Sequence, residues 1–196
     1  MVLVFSIGVF LDLKKAFDTC SHKILLKKLK GLGVGGTALS WFRSYLANRR
    51  QVVDIDGYHS QPRVINISVL QGSILGPILF LCYINDLPNS SDLLTFLFAD
   101  DTQGLAKGKN LPELLDHVNN ELLKWARWFR SNKMKVNTSK MKYIIFHTKG
   151  RPVDTQGKVL VYNDNDDLTI RTPLLYLNLT ESTTTTPTLT TDLTNC

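Results

Sequence analysis

The sequence predicts an α+β fold, an antiparallel sheet with helices packed against it. Two strand-length apolar runs each end in carboxylates: Phe10-Leu11 leads into Asp12, and Thr95-Phe96-Leu97-Phe98-Ala99 leads into Asp100-Asp101. Between and after these runs lie segments whose apolar residues recur at helical spacing, the longest being Leu111, Leu114, Leu115, Val118, Leu122, Trp125 and Phe129. With 196 residues, 43% of them hydrophobic, the chain can bury one sizeable core.

The elements follow in order. An apolar strand over 2–13 leads to a helix over 22–30, with Ile24, Leu25 and Leu29 inward and lysines on the other face. The glycine-rich stretch Gly31-Leu32-Gly33-Val34-Gly35-Gly36 breaks the chain, and a second helix over 37–47 carries Leu39, Phe42, Tyr45 and Leu46. Residues 51–55 and 63–69 read as a hairpin about Asp56-Gly57. Ser73 is placed to cap the apolar helix near 74–87, and Gly72 before it permits close backbone approach to a ligand. Residues 93–98 and 102–106 form a second hairpin with Asp100 and Asp101 at its tip, and Pro112 opens the long helix. A strand over 141–146 completes a β-α-β-β-α-β order. Residues 1–150 thus make one domain. Beyond residue 151 the patterning fades, and 180–196, with nine threonines and few apolar groups, has little to offset the entropy of ordering. That tail is expected to be flexible.

Two adjacent carboxylates after an apolar run repel each other and raise each other's pKa, a cost that a divalent cation removes. Hard oxygen donors of this kind suit Mg²⁺. Taken alone, Asp100-Asp101 reads as a solvated turn. With Asp12 on an equally apolar strand, the balance moves toward a metal site. Asp18 reads as a helix N-cap.

The three segments FLDLKKAFD, QGSILGPILF and FADD, in this order and spacing, resemble the reverse transcriptase domain of jockey-like non-LTR (LINE-type) retrotransposons. The flanking Trp41-Phe42-Arg43-Ser44-Tyr45-Leu46 and Tyr83-Ile84-Asn85-Asp86-Leu87-Pro88 are also typical of that group. The likeness covers roughly residues 9–147, and agreement of three separated motifs makes it specific. It implies a polymerase palm over 1–150, lacking the fingers that should precede FLDLKKAFD. It also implies a primer-grip hairpin remnant within 151–179, around Leu174-Leu175-Tyr176-Leu177, with Asn178 where a glycine is usual. The chain is expected to be a fragment of a retrotransposon polyprotein. The implied activity is RNA-directed DNA polymerisation by two-metal nucleotidyl transfer, with RNA template, DNA primer and deoxynucleoside triphosphates as partners. Two Mg²⁺ ions, with Mn²⁺ as a substitute, are the implied cofactors. By the same resemblance Asp12, Asp100 and Asp101 hold the ions, Leu13 lends a backbone carbonyl, and Phe17 gates against a 2′-hydroxyl. Gln71 and Gly72 contact the incoming nucleotide, and Lys140, in Asn137-Thr138-Ser139-Lys140, protonates pyrophosphate.

Charge agrees with a polyanionic partner. The net charge is +6, and its distribution tells more: nine Lys or Arg against one Asp from Lys14 to Arg50, and nine more with no acid from Lys124 to Arg151. Arg127, Arg130 and Lys133 are the candidates for nucleic-acid contact in the second tract, although any single lysine there also reads as a solvated helix face. Cys20, Cys82 and Cys196 have no zinc spacing and suit reduced, intracellular thiols. The apolar N-terminus is too short to span a bilayer and lacks a signal-peptide pattern, so no membrane partner is expected. The expected location is the nucleus or cytoplasm, not the secretory route. The competing function is a catalytically inert, nucleic-acid-binding remnant of a retrotransposon. A dehalogenase-type phosphatase ranks far behind, because that chemistry wants an acid two residues after the nucleophile, where Lys14 stands.

Overall fold

A computed structural model describes residues 4–148, 159–162, 168–171 and 175–179. In chain order the elements are β1 (Phe5–Leu11), a 3₁₀ turn (Ala16–Thr19), α1 (His22–Gly31) and α2 (Gly36–Leu46). Four two-residue strands follow: β2 (Arg50–Gln51), β3 (Asp54–Ile55), β4 (Tyr58–His59) and β5 (Arg63–Val64). Next come α3 (Leu75–Ile84), a 3₁₀ turn (Leu87–Ser90), β6 (Leu94–Phe98), β7 (Asp101–Gly108), α4 (Leu111–Ser131) and β8 (Lys142–Thr148). The last are β9 (Val159–Tyr162), β10 (Leu168–Arg171) and β11 (Leu175–Leu179). The Thr-rich segment 180–196 and Leu174 lie outside the described residues.

Two compact units share the chain. One comprises Met1–Asp12, Pro88–Arg127 and Val136–Cys196, the other Leu13–Leu87 and Trp128–Lys135. The first is built on a five-stranded sheet in the order β11-β8-β1-β7-β6. β1 pairs antiparallel with both β7 and β8, β6 pairs antiparallel with β7, and β11 runs parallel to β8. The four strands β8-β1-β7-β6 realise the expected β-α-β-β-α-β arrangement. This is the α+β palm-like sheet that the sequence predicts.

β1 is central because it pairs on both sides, with β7 and with β8, and alternate residues of it enter the core. Phe5, Ile7, Val9 and Leu11 are all buried, and each removes its apolar surface from water at roughly 1.5–3 kcal/mol. The α4 stripe buries Leu111, Leu114, Leu115, Val118, Leu122 and Trp125 in the same unit. The indole of Trp125 rests against Gly104 of β7, where a Cβ would lie 2.7 Å from Cη2. In the helical unit Leu25, Leu29, Leu46, Val69, Leu79, Phe80, Tyr83 and Ile84 form the core.

Four expectations change in detail. The hairpin about Asp56-Gly57 exists, but as two short ladders, β2 with β5 and β3 with β4. All eight of these strand residues are exposed, so no buried face extends the pairing. The apolar helix stops at Ile84 and a 3₁₀ turn carries Leu87. Asp18 is not an N-cap: Ser21 holds that position in α1, while Asp18 lies inside the first 3₁₀ turn and accepts a hydrogen bond from Gln71 Nε2 at 3.3 Å. Ile74 is the N-cap residue of α3, and Ser73 stands one place before it, its Oγ accepting from Gly76 N at 2.9 Å and donating to Leu70 O at 2.8 Å.

Candidate active site

The site begins where the interior strands β1 and β7 meet one end of the sheet. Leu11, the last residue of β1, faces Thr102 of β7, so Asp12 and Asp101 are the next residues on two adjacent strands. Phe98 faces Asp101 across the β6–β7 ladder, which leaves Ala99-Asp100 as a two-residue turn. Ala99 takes φ 52°, a left-handed conformation that glycine usually fills in such turns and that costs an alanine about 1–2 kcal/mol. The strain accompanies a turn that sets Asp100 directly before Asp101 at the strand end. All three predicted carboxylates therefore stem from neighbouring positions at one end of the sheet.

Asp12 is held from the other side by the segment leading into β8. Asn137 N donates to Asp12 O at 2.8 Å, and Asn137 Nδ2 donates to Asp12 Oδ2 at 2.9 Å. Lys140 Nζ stands 3.3 Å from the same Oδ2, with the Asp12 side chain only 25% exposed. The Asn137-to-Lys140 stretch is itself a turn, closed by Lys140 N to Asn137 O at 3.0 Å and by Ser139 Oγ to Asn137 Oδ1 at 2.7 Å. So two ends of a four-residue turn grip one carboxylate, one by an amide and one by charge. Asn137 was not among the site residues that the sequence predicts. Its place at the head of the lysine motif was the available signal.

Asp12, Asp100 and Asp101 are hard oxygen donors of the type that a divalent cation takes. Among the described residues, no three His, Cys, Asp or Glu side chains gather closely enough to hold a metal ion as they stand. The cation that stands against Asp12 is the Lys140 ammonium.

Leu13, Phe17, Gln71 and Gly72 belong to the helical unit. Leu13 is buried, and Phe17 is half-buried with its ring stacked on Phe80 at 4.7 Å between centroids. Gln71 is exposed and reaches Asp18, while Gly72 takes φ 77° with open space where a Cβ would point. That φ, rather than crowding, is what favours glycine there. Arg127 and Arg130 are exposed one turn apart on α4, away from the buried Trp125 and Phe129. Lys133, also exposed, ends the helix at φ 56°: its N bonds to Arg130 O at 3.0 Å and Met134 N bonds to Phe129 O at 2.9 Å.

Residues 6–177 match the model of the family described as reverse transcriptase (RNA-dependent DNA polymerase). The chain belongs to that family. Among its relatives, the RNA-directed DNA polymerase from mobile element jockey of Drosophila melanogaster is 31% identical over 150 residues, covering 72% of this chain and 16% of the relative. The probable RNA-directed DNA polymerase from transposon BS of the same fly is 30% identical over 166 residues, covering 78% and 18%. The chain thus spans less than a fifth of the length of these relatives. Apo telomerase from Candida tropicalis, truncated from its C-terminal domain, shares the fold with a TM-score of 0.55 at 14% identity, over 85% of this chain and 36% of that one. Among the described residues of this reverse transcriptase-family chain, no helix is long and apolar enough to cross a membrane.

Proposed function

We propose that this chain forms the palm of an RNA-directed DNA polymerase that extends a DNA primer on an RNA template. The observation that carries the reading is the end of the sheet where Asp12, Asp100 and Asp101 stem from adjacent strands, in a chain of the reverse transcriptase family. In the reaction the primer 3′-oxygen attacks the α-phosphorus of a deoxynucleoside triphosphate, the bond to the bridging oxygen breaks, and pyrophosphate leaves. Two divalent ions, Mg²⁺ or Mn²⁺, would supply charge neutralisation at the attacking and leaving oxygens. Asp12, Asp100 and Asp101, with the Leu13 carbonyl, would be the oxygen donors for them. Asn137 fixes the Asp12 carboxylate through its amide, and Lys140 carries a proton that can pass to pyrophosphate. By the family resemblance, Phe17 would exclude a 2′-hydroxyl, and Gln71 and Gly72 would contact the incoming nucleotide. Arg127, Arg130 and Lys133 contact duplex phosphates.

A second reading, an inert nucleic-acid-binding remnant, draws on the Lys140–Asp12 ion pair, which engages a carboxylate that catalysis needs for metal. Exchanging this chain for the matching 150 residues of the jockey polymerase separates the two readings. Primer extension that requires Mg²⁺ and is abolished by Asp100→Asn, with duplex binding retained, supports the polymerase. A chimera that binds duplex yet never extends a primer supports the remnant.

A further inference from the structure

Helix α2 carries a surface that nucleotidyl transfer leaves unused. Trp41, Tyr45 and Arg49 recur every fourth residue along α2 and just past its end, so their side chains meet. The Trp41 and Tyr45 rings stack with centroids 5.4 Å apart and planes 13° from parallel. The Arg49 guanidinium stands 4.6 Å from the Tyr45 centroid, and its Nε donates to Tyr45 O at 2.8 Å. Phe42 closes edge-on against Trp41 at 5.1 Å. The result is a fixed ladder of two rings and a guanidinium.

Trp41 is held in this ladder yet remains 52% exposed, whereas Trp125 in the sheet unit is 1% exposed. An indole fixed in place but half in water is poorly used as core. The surroundings are cationic: Arg43 and Arg50 are exposed near it in sequence, as are Lys23, Lys27 and Lys30 on α1, and Asp18 is the sole acid from Lys14 to Arg50. An apolar protein partner would have to desolvate those charges. An unpaired nucleobase with its phosphates answers both features, because any base offers a π-face to an indole and its backbone seeks arginine.

We propose that the Trp41–Tyr45–Arg49 ladder is a stacking platform for an unpaired base of a single-stranded polynucleotide, with Arg43 and Arg50 on its phosphates. The proposal rests on the reading above that the chain handles nucleic acid, and it names where unpaired bases are held. Its test is binding of the full chain to fluorescein-labelled oligo(rU) and oligo(dT), measured by anisotropy beside an abasic oligomer of equal length. Trp41→Ala should weaken binding to the base-bearing oligomer by at least about fivefold and leave abasic binding unchanged, and Trp41→Phe should recover most of the loss. Loss on oligo(rU) alone, or on oligo(dT) alone, identifies which polynucleotide the platform serves. In the parent chain, tryptophan fluorescence should be quenched by the base-bearing oligomer and not by the abasic one, a readout that needs no variant to fold. Equal affinity of Trp41→Ala and parent for both base-bearing oligomers, or equal losses with and without bases, would overturn the platform and leave the polymerase reading standing. Failure of the parent to bind either oligomer or a primer–template duplex would overturn both.

Discussion

At the scale of single residues, Tyr83 ties the helical unit together more than any motif position does. Its hydroxyl accepts from Ser21 N at 3.2 Å and donates to Asn132 O at 2.6 Å, joining three segments distant in sequence. Burial pushes its pKa from 10.0 to about 12. Burial likewise raises the nearby Cys20 thiol from 9.0 to about 12, against the opposing pull of the Lys28 charge. Both folded-state values lie above the unfolded ones, so the stability these groups contribute is complete at low pH and is lost as pH rises through about 12. Urea unfolding should therefore show falling stability above pH 9, the ordinary value for Cys20. Tyr83→Phe leaves a buried donor and acceptor unpaired and should cost about 1–3 kcal/mol at neutral pH. It should also reduce the alkaline loss between pH 10 and 12. An unchanged alkaline slope would show that Tyr83 does not titrate with unfolding. None of this is legible in the sequence, since nothing in Tyr83-Ile84-Asn85-Asp86 points to a partner 62 residues earlier.

At the scale of elements, legibility followed periodicity. The α4 stripe is long enough to declare both the element and its buried face, whereas the apolar run over 2–13 declared a strand, found at Phe5–Leu11, without naming a face. The segment from Arg50 to Val64 lacks a buried face, so turn chemistry at Asp56-Gly57 could be read while strand length could not. The pairing of β8 with β1, which brings Lys140 to Asp12, depends on chain reversal over more than a hundred residues and has no local mark. Close approach between elements is similarly hidden. Gly104 looks like an ordinary strand glycine, yet a Cβ there would stand 2.7 Å from Trp125 Cη2 and 3.0 Å from Leu93 Cδ1. Gly104→Ala should destabilise the sheet unit by about 1–3 kcal/mol in denaturant unfolding, the usual range for overpacking. Adding Trp125→Phe should recover part of that loss by clearing space over β7. Full stability in the single variant would mean that α4 shifts freely across the sheet, against the burial of Trp125.

At the scale of the whole molecule, the sequence motifs were sufficient for the family and for the strand ends that carry Asp12, Asp100 and Asp101, because two of the segments join an apolar strand directly to carboxylates. What they left open is how charge is apportioned between stacking and phosphate contact. Asp12 meets Lys140, and Arg49 lies over Tyr45, so not every cation in the two basic tracts is available to a polyanion in the same way. Arg127, Arg130 and Lys133 are exposed at the end of α4 and are the groups assigned above to duplex phosphates. Each phosphate contact on a duplex releases counterions and adds about 0.9 to the slope of log affinity against log salt. Replacing all three residues by Gln should accordingly flatten the slope for a primer–template duplex by about 2–3. Trp41→Ala should act differently, lowering affinity for single strands at every salt concentration with little change of slope, because stacking releases few ions. Anisotropy titrations across a salt series measure both effects in one experiment. A slope unchanged by the triple replacement would remove the α4 terminus from the duplex interface, and the basic tract before Arg50 would then have to supply the phosphate contacts.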